Sequence, residues 1–523
     1  MASWEYFLSE FARRFAERRA REEGFTLEEH SFYVYDLETQ FLAVLFTGYV
    51  KNFYYMSGQE VLELSLPLHT AVSLKDPEFY VSSLRAAREL PAMKDQVMIG
   101  AINLSKSPAR VNPEVQVSLV SLLASFPPNQ IVKKYVNAKR RYRQVLGGLG
   151  SFEKKVLREV WNTWPPDLRA YYAAKYRRYV RDMVRTAHIP VEKEIWDYVK
   201  KPLSYEGPNE YLAKVSRFLR TKSTDLSFDH PKLPFNLVRS NLPKSEWTAW
   251  ILENADLTGN TVVLQAKSLY SVFGDDFLPY LDRAVRSPTV TSDRILKAML
   301  ACLDVEPLAY KLAEVYAEKV KRTYRRLLLP LATPTISIVL DASGSMRPEN
   351  LRGEFGKALS VVAPFAPLVR QLVLFSDKAG VEDHNLLGTW RGITKLVRIA
   401  STKYNSSTCI TCGLKLALEA VKSGEIDTVV IATDEQANVT VGETKEMDLI
   451  REILDAGAGV IVVNPTPYPV HVADVREERL VYVPAPNPES FAAALRLLQI
   501  RRVSEEKGAK ELVKVLVKWS GEF

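Results

Sequence analysis

Apolar residues recur at three- and four-residue intervals through the first 330 residues, and prolines or Asn/Gly/Ser clusters separate the segments. This spacing predicts amphipathic helices, at roughly the density of an α-solenoid. No sequence repeat accompanies it, so a non-repetitive helical bundle stays open. The predicted helices are Pro77 to Leu90, Glu114 to Ser125, Asn129 to Leu146, Phe152 to Thr163, Pro166 to Thr186, Val191 to Lys200, Glu210 to Arg220, Lys244 to Glu253, Asp276 to Arg286, Ser292 to Cys302 and Pro307 to Leu327.

From residue 333 the pattern changes to short apolar runs that alternate with amphipathic segments. Such alternation predicts a doubly wound parallel sheet. We therefore predict a helical domain over residues 1–332 and an α/β domain over residues 333–523. The predicted strands are Ile336–Leu340, Gln371–Phe375, Thr428–Ala432 and Val460–Val463, and the predicted helices are Glu354–Ala363, Leu414–Val421, Leu449–Ala456 and Pro488–Leu498.

Hydroxyl and carboxyl side chains follow the predicted strands at three points. Asp341, Ser343 and Ser345 come after the first strand, Thr408 precedes a helical stretch, and Asp434 follows Thr428–Ala432. In an open parallel sheet these loops meet at the carboxyl edge. Mg²⁺ prefers oxygen ligands and retains some waters, so the sequence predicts a site for Mg²⁺ or another divalent cation.

The spacing of these residues resembles the metal-ion-dependent adhesion site of von Willebrand factor A (vWA) domains. That resemblance implies that a carboxylate of a partner protein completes the coordination of the ion. Two alternatives stay open, a serine-rich turn that only caps the following helix and a vWA loop that holds no metal. Cys409 and Cys412, directly after Thr408, are predicted to be packing residues rather than a redox pair.

Positive charge is concentrated in one stretch of the chain. The 523 residues carry a net charge of +8, whereas residues 131–190 alone hold 15 Lys and Arg against four Asp and Glu. Residues 331–523, with 22 basic and 24 acidic side chains, are slightly acidic. A basic face attracts polyanions, above all phosphate backbones, so the helical part is the predicted site of nucleic-acid binding.

Six basic residues of this stretch lie on one predicted helix with Tyr135 and Tyr142 between them. They can neutralise phosphates while the tyrosines offer stacking faces to single-stranded bases. The alternative for each of these basic residues is a position on a solvated helix face without a binding role. The six candidates are Lys133, Lys134, Lys139, Arg140, Arg141 and Arg143.

The middle of the helical part carries a pattern in three pieces, 150–162, 171–178 and 181–190, with Phe53-Tyr54-Tyr55 and Gln59 upstream. A glycine-basic-apolar helix precedes a Lys-Tyr-basic helix, and a segment ending in His188 and Pro190 follows. This pattern resembles the TROVE domain of the Ro autoantigen family, and Ro proteins join a TROVE domain to a vWA domain in this order.

The resemblance implies HEAT-like helical repeats that close into a ring with a basic hole. In that family the hole admits single-stranded 3′ ends of misfolded non-coding RNA, and the outer surface binds structured Y RNAs. Lys175 and Arg178 would line the hole, and Lys154 and Lys155 are further RNA-binding candidates. His188, with Arg181 and Arg185, would lie on the Y RNA surface, although a lone histidine is more often a capping or core residue.

Three hypotheses follow. The first is a Ro-like RNA-binding protein of RNA quality control or ribonucleoprotein assembly, with an exoribonuclease or an acidic protein as a possible partner. The second is an adaptor whose vWA site grips an acidic protein, with the helices as a scaffold. An RNA-processing enzyme comes third, since no nucleophile with a partner base and no Gly-rich phosphate loop is visible. We expect a cytoplasmic location without membrane association, because no apolar run has the length of a span.

Overall fold

The structure is a computed structural model, and its described residues fall into two compact units. One unit comprises Arg88–Arg322, the helical unit, and the other comprises residues 1–87 together with 323–523, the sheet unit. The predicted domain boundary at residues 332–333 lies outside the described residues, as do Phe53, Tyr54 and Tyr55. Described are residues 38, 41–42, 44–45, 58–88, 94–141, 143, 148–287, 290–328, 334–349, 353–434, 445–466, 479–484 and 488–503.

Helices account for nearly all regular structure before the sheet, as the apolar spacing predicts. A two-stranded parallel pair, β1 (Leu233–Pro234) and β2 (Ala255–Asp256), interrupts them. The helices are α1 Gly58–Lys75, α2 Pro77–Arg88, α3 Lys94–Leu104, α4 Pro113–Ala124, α5 Pro128–Gln130, α6 Asn137–Arg141, α7 Ser151–Thr163, α8 Pro166–Lys175, α9 Arg177–Ala187, α10 Lys193–Lys200, α11 Glu210–Thr221, α12 Phe235–Asn241, α13 Ala249–Asn254, α14 Gly259–Leu264, α15 Ala266–Phe273, α16 Asp282–Arg286, α17 Ser292–Leu300 and α18 Glu306–Leu328.

Four predicted helices differ from the structure. Lys244 to Glu253 has a 3₁₀ turn, Lys244–Glu246, before α13, and Asp276 to Arg286 is a 3₁₀ helix as far as Leu281. Two others are interrupted. The segment from residue 166 to 186 is broken at Tyr176, whose backbone (φ −125°, ψ 33°) is not helical, so α8 and α9 are separate. The segment from residue 128 to 141 contains a π-helical turn, Ile131–Val136, between α5 and α6. Neither Tyr176 nor the π-helical turn has a proline or glycine to mark it, which is why helix-breaker signals miss these two interruptions.

Within the described residues, the sheet unit contains six strands in the order β5-β4-β3-β6-β7-β8, all parallel except the antiparallel edge strand β5. Every residue of β3, β6 and β7 is buried. Near-continuous apolar runs of this kind are typical of parallel strands covered on both faces. The strands are β3 Ile336–Asp341, β4 Val369–Phe375, β5 Ala379–Glu382, β6 Thr428–Ala432, β7 Gly459–Asn464 and β8 Leu480–Pro484.

Helices pack on this sheet in two pairs, α19 with α23 and α21 with α22. α21 contacts both β3 and β4, and Gly413 allows the close approach: a Cβ at this position would lie 2.7 Å from Val339 Cγ1 and 3.0 Å from Phe375 Cδ1. The helices of this unit, after α18, are α19 Glu354–Val362, α20 Trp390–Ile399, α21 Ile410–Lys422, α22 Glu446–Asp455 and α23 Pro488–Val503.

The predicted fold class, a helical part followed by a doubly wound parallel sheet, is confirmed. Closure of the helices into a ring stays a prediction. None of the helices in the described part of the chain is both long and apolar enough to cross a membrane.

Candidate metal site and basic surface

The sheet order brings the three predicted metal-site loops together. β3 pairs with β6 so that Leu340 lies opposite Ala432, and the residues that follow them, Asp341 and Thr433, are then adjacent. Thr433 donates its hydroxyl to Asp341 Oδ2 (2.7 Å). Asp434 comes next, so the carboxyl ends of these two strands supply both carboxylates.

The loop that contains Ser343 and Ser345, which we name the serine loop, folds over the end of β3. Asp341 Oδ1 accepts the Ser343 N–H (2.9 Å), and the hydroxyls of Ser343 and Ser345 lie 3.1 Å apart. Ser343 is fully buried, whereas Ser345 is partly exposed. This loop therefore presents two hydroxyl oxygens side by side at the carboxyl edge of the sheet, and one of them belongs to a partly exposed residue.

The loop that contains Thr408, which we name the threonine loop, is held by backbone hydrogen bonds to the serine loop and to the end of β4. The Gly344 N–H donates to the Ser406 carbonyl (2.8 Å), and the Cys409 N–H donates to the Ser376 carbonyl at the end of β4 (2.6 Å). Thr408 lies between these two anchors and is buried. All five predicted metal-site residues thus lie at one edge of one sheet.

Two buried carboxylates at this edge oppose each other electrostatically. Burial, together with the charge of Asp434, raises the pKa of Asp341 to about 7, against hydrogen bonds from Thr433 and Ser343. A divalent cation would offset this repulsion. Two carboxylates, two serines and a threonine form an all-oxygen donor set, which fits Mg²⁺.

Sequence reasoning missed Asp377, which follows β4 at the same edge. Ser376 donates its hydroxyl to Asp377 Oδ1 (2.9 Å), and Ser406 donates to the Ser376 hydroxyl (3.4 Å). Hydrogen bonds from Ser406 and Ser376 lower the pKa of this exposed carboxyl. The available signal was an aspartate two residues after a predicted strand, close to the position that Asp341 takes after its own strand.

The two cysteines beside Thr408 correct a prediction. Cys409 and Cys412 were expected to be separate packing residues, but their sulfurs are bonded as a disulfide. Cys302, a buried residue of the helical unit, takes no part in this bond.

The basic surface is built from two adjoining pieces of the helical unit, which we name the basic face. One piece is the π-helical turn with α6, and the other is α9. Lys133 Nζ lies 5.4 Å from the centre of the Tyr179 ring, and Arg140 donates to the Thr186 hydroxyl, so the two pieces are in contact. Residues of the basic face on or partly at the surface are Lys133, Lys134, Arg140, Arg141, Arg181, Arg185 and His188.

Most of this positive charge is uncompensated. Lys134 forms an ion pair with Asp95, but within the described residues no carboxylate pairs with Lys133, Arg140, Arg141, Arg181 or Arg185. Arg177, which sequence reasoning missed, extends the row, because positions 177, 181 and 185 are four residues apart on α9. Residues at this spacing share one face of a helix.

Lys139 does not belong to this surface, contrary to the prediction. Its side chain is fully buried, and Nζ donates to Glu153 Oε1 at 2.7 Å. Burial lowers the pKa of Lys139 to about 8 although the pair with Glu153 opposes the shift. An ammonium held in this way is not available to a phosphate.

Lys175 and Arg178 do not share a helix, because α8 ends at Lys175 and α9 begins at Arg177. Lys175 Nζ lies 3.3 Å from Asp256 Oδ2 and 4.9 Å from the centre of the Tyr171 ring. Arg178 is exposed. The prediction of one continuous helix across these two residues is therefore wrong, and their place in a basic hole stays a prediction. Both reach the surface at least in part.

The remaining RNA-binding candidates are surface residues of the helical unit. Arg143 and Lys155 are exposed and Lys154 is partly exposed. His188 is exposed and ends α9 in the left-handed conformation (φ 52°, ψ 46°). It is therefore a capping residue by backbone geometry, while its ring remains open to solvent.

No family model and no curated protein matches the sequence. A solved structure does match: the crystal structure of the Deinococcus radiodurans RO (RSR) protein, at 15% sequence identity with a TM-score of 0.58. The match covers 88% of this chain and 99% of that chain, so it extends over both units. The resemblance predicted from the sequence is thereby confirmed at the level of the fold, and this chain has the fold of a Ro protein.

Proposed function

We propose that the protein binds RNA through the basic face. The observation that carries this proposal is the row Arg177, Arg181 and Arg185, with Arg140 and Lys133 beside it, whose charges have no acidic partners among the described residues. Guanidinium groups match phosphate oxygens in planar, bidentate contacts. The likeness in fold to a Ro protein supports the same function.

Two classes of RNA are proposed as ligands. Structured small RNA, similar to the Y RNAs of the Ro family, would bind Arg181, Arg185 and His188 on the basic face. Single-stranded 3′ ends of misfolded RNA would bind near Lys175 and Arg178. Partly exposed tyrosines support the second assignment, because Tyr171 and Tyr176 lie beside Lys175 and base stacking needs aromatic faces. A role in RNA quality control or ribonucleoprotein assembly follows from these ligands.

Salt titration of RNA binding tests the proposal. In the variant Arg181→Gln/Arg185→Gln, affinity should fall and the slope of log K against log salt should decrease by about 1 to 2, since each lost phosphate contact removes about 0.7 to 0.9. The matched control is Lys395→Gln/Arg398→Gln, which removes two exposed cations from α20 of the sheet unit. Equal slopes in the two variants would mean that removal of any two positive charges lowers the salt dependence of RNA binding to the same extent. That result would contradict a defined binding face.

Comparison of two RNA ligands separates the proposed sites. Lys175→Ala/Arg178→Ala should weaken the binding of a single-stranded oligonucleotide more than the binding of a stem-loop. His188→Ala should have the larger effect on binding of the stem-loop. Parallel losses for both ligands in both variants would contradict two separate sites.

For the sheet unit we propose a Mg²⁺ site that binds a carboxylate of an acidic protein partner. Asp341, Ser343, Ser345, Thr408 and Asp434 would hold the ion, with the serines and the threonine as direct ligands and the aspartates acting largely through water. The ion would supply positive charge that attracts an incoming carboxylate. The all-oxygen donor set and the partly exposed Ser345 support this proposal.

Calorimetry with Mg²⁺ tests the metal proposal. Asp341→Ala should abolish Mg²⁺ binding and leave RNA affinity unchanged, because the proposed RNA contacts all lie in the helical unit. Asp383→Ala, which removes an exposed carboxylate from the same unit, is the control and should bind Mg²⁺ normally. Heat of binding that persists in Asp341→Ala would place the ion elsewhere.

A further inference from the structure

The disulfide between Cys409 and Cys412 lies next to a residue of the proposed metal site. Cys409 follows Thr408 directly and is the residue before α21, while Cys412 lies in the first turn of that helix. Cys409 is fully buried and Cys412 is partly exposed. A small thiol therefore has access to one sulfur of the bond and not to the other.

The bond is part of the set of contacts that fixes the threonine loop. On one side of Thr408, the Ser406 carbonyl accepts the Gly344 N–H; on the other, the Cys409 N–H donates to the Ser376 carbonyl. The disulfide then joins Cys409 to the first turn of α21. Cys412 Sγ also lies 3.9 Å from the Asp377 carbonyl oxygen, at the end of β4.

We propose that Cys409 and Cys412 form a reversible redox site, and that its reduction by a dithiol weakens Mg²⁺ binding at Thr408. The second part rests on the proposed metal function. The substrate of this site is a small or protein-borne dithiol, and the modification is the thiol–disulfide interconversion of this one pair.

The exchange proceeds through Cys412 because its sulfur is the accessible one. A thiolate of the dithiol attacks Cys412 Sγ and forms a mixed disulfide, and Cys409 leaves as a thiolate that takes up a proton. The second thiol of the reductant, as a thiolate, then attacks the other sulfur of the reductant, the one bonded to Cys412 in the mixed disulfide. Cys412 is released as a thiolate that also takes up a proton. Two electrons pass to the protein, and the dithiol is oxidised to a cyclic disulfide.

Reduction should move Thr408 because two unbonded sulfurs cannot remain at bonding distance. They separate to about 3.5–4 Å, the range of non-bonded contact, and the first turn of α21 must adjust. Mg²⁺ demands near-ideal octahedral geometry, and ligand sites tolerate displacements of only about 0.5 Å. A shift at Cys409 is transmitted to Thr408 through a single peptide bond. In the reduced form, the Cys412 thiol can donate to the Asp377 carbonyl, and this hydrogen bond stabilises the reduced form.

The test uses the full-length chain equilibrated with mixtures of reduced and oxidised dithiothreitol. Alkylation followed by peptide mass mapping reports the oxidation state of Cys409, Cys412 and Cys302 separately. The oxidised fraction of the pair can therefore be measured without replacing Cys302. We expect Cys409 and Cys412 to convert together across a range of dithiothreitol ratios. A pair that remains entirely oxidised or entirely reduced at every ratio would overturn the redox site.

Mg²⁺ calorimetry on the two forms tests the coupling. The oxidised form should bind at least about tenfold more tightly than the reduced form, in line with the loss expected when a ligand is displaced. The variant Cys409→Ser/Cys412→Ser should bind like the reduced form and should not respond to dithiothreitol. Equal affinities in the two forms would overturn the coupling. No binding in either form would overturn the metal proposal and the coupling, while the mass mapping would still decide the redox site.

Discussion

Lys139 and Glu153 form an ion pair inside the helical unit, with Nζ and Oε1 2.7 Å apart and Lys139 fully buried. Glu153 also accepts the Gly150 N–H through Oε2 (3.0 Å) at the start of α7. The pair thus joins the basic segment that ends at α6 to the first turn of α7. One member of the most basic stretch of the chain has a structural role.

Replacement of Lys139 should therefore destabilise the protein without a specific effect on RNA. Lys139→Met leaves Glu153 buried without its partner, and breaking a buried pair in this way costs about 3–5 kcal/mol of unfolding free energy. Lys155→Met, on the exposed side of α7, should change stability by about 0.5 kcal/mol or less. Denaturant unfolding measures both. A weakly destabilised Lys139→Met that loses RNA affinity would restore Lys139 to the basic face.

The same pair makes stability depend on pH at both ends of the scale. Burial lowers the pKa of Lys139 to about 8, so between pH 8 and its usual 10.5 the unfolded chain binds more protons and stability rises with pH. Burial opposes ionisation of Glu153, but the pair with Lys139 outweighs it and lowers the pKa of Glu153. That contribution is present above pH 4.5 and is lost as the pH falls through the lowered pKa.

A double variant, Lys139→Met/Glu153→Leu, isolates this dependence. The difference in unfolding free energy between wild type and double variant should grow by about 1–3 kcal/mol in favour of the wild type from pH 8 to pH 10.5. Denaturant unfolding at a series of pH values gives the two curves. Parallel curves across that range would show that Lys139 titrates normally.

His188 should show a conflict between stability and RNA binding. Its backbone has φ 52°, a conformation that costs a residue with a Cβ about 1 kcal/mol relative to glycine. His188→Gly should therefore raise the unfolding free energy by about 0.5–1 kcal/mol while it weakens binding of structured RNA. His188→Ala is the control, since it removes the ring but retains the Cβ, and it should lose RNA affinity without any gain. Thermal melts with an RNA titration decide.

Gly413 should be needed for the geometry of the threonine loop. In Gly413→Ala the new Cβ would meet Val339 and Phe375 of the sheet, and such overpacking costs about 1–3 kcal/mol. The helix that follows Thr408 would shift outwards, so Mg²⁺ affinity should fall as well. Gly388→Ala is the matched control, because its Cβ would meet nothing within 4 Å. Equal melting temperatures for the two variants would contradict the close packing of α21.

The sheet unit was the more predictable part of the fold. Runs such as Thr428–Ala432 are apolar throughout because both faces of the sheet are covered, and strand ends then determine where Asp341 and Asp434 lie. The three loops could therefore be grouped from the sequence alone. The bond between Cys409 and Cys412 could not, because it depends on how the first turn of α21 brings the two side chains together.

The helical unit was predictable in its elements and less so in its side chains. Arg181 and Arg185 lie on one face because they are four residues apart in a regular helix, and spacing is visible in a sequence. The burial of Lys139 is not visible, since it depends on a glutamate 14 residues later that enters the core to meet it. The break at Tyr176, between Lys175 and Arg178, is likewise not marked by any helix-breaking residue.

The π-helical turn Ile131–Val136 decides which side chains of its segment face outwards. Buried positions across this turn recur every four residues, at Ile131, Tyr135 and Lys139, a period longer than that of an α-helix. Loss of a single residue within the turn would rotate everything after it by about 100°. Arg140 and Arg141 would then turn away from α9, and Lys139 would leave Glu153. The segment can therefore tolerate the substitution of its exposed basic side chains one at a time, but it cannot tolerate a change in its length.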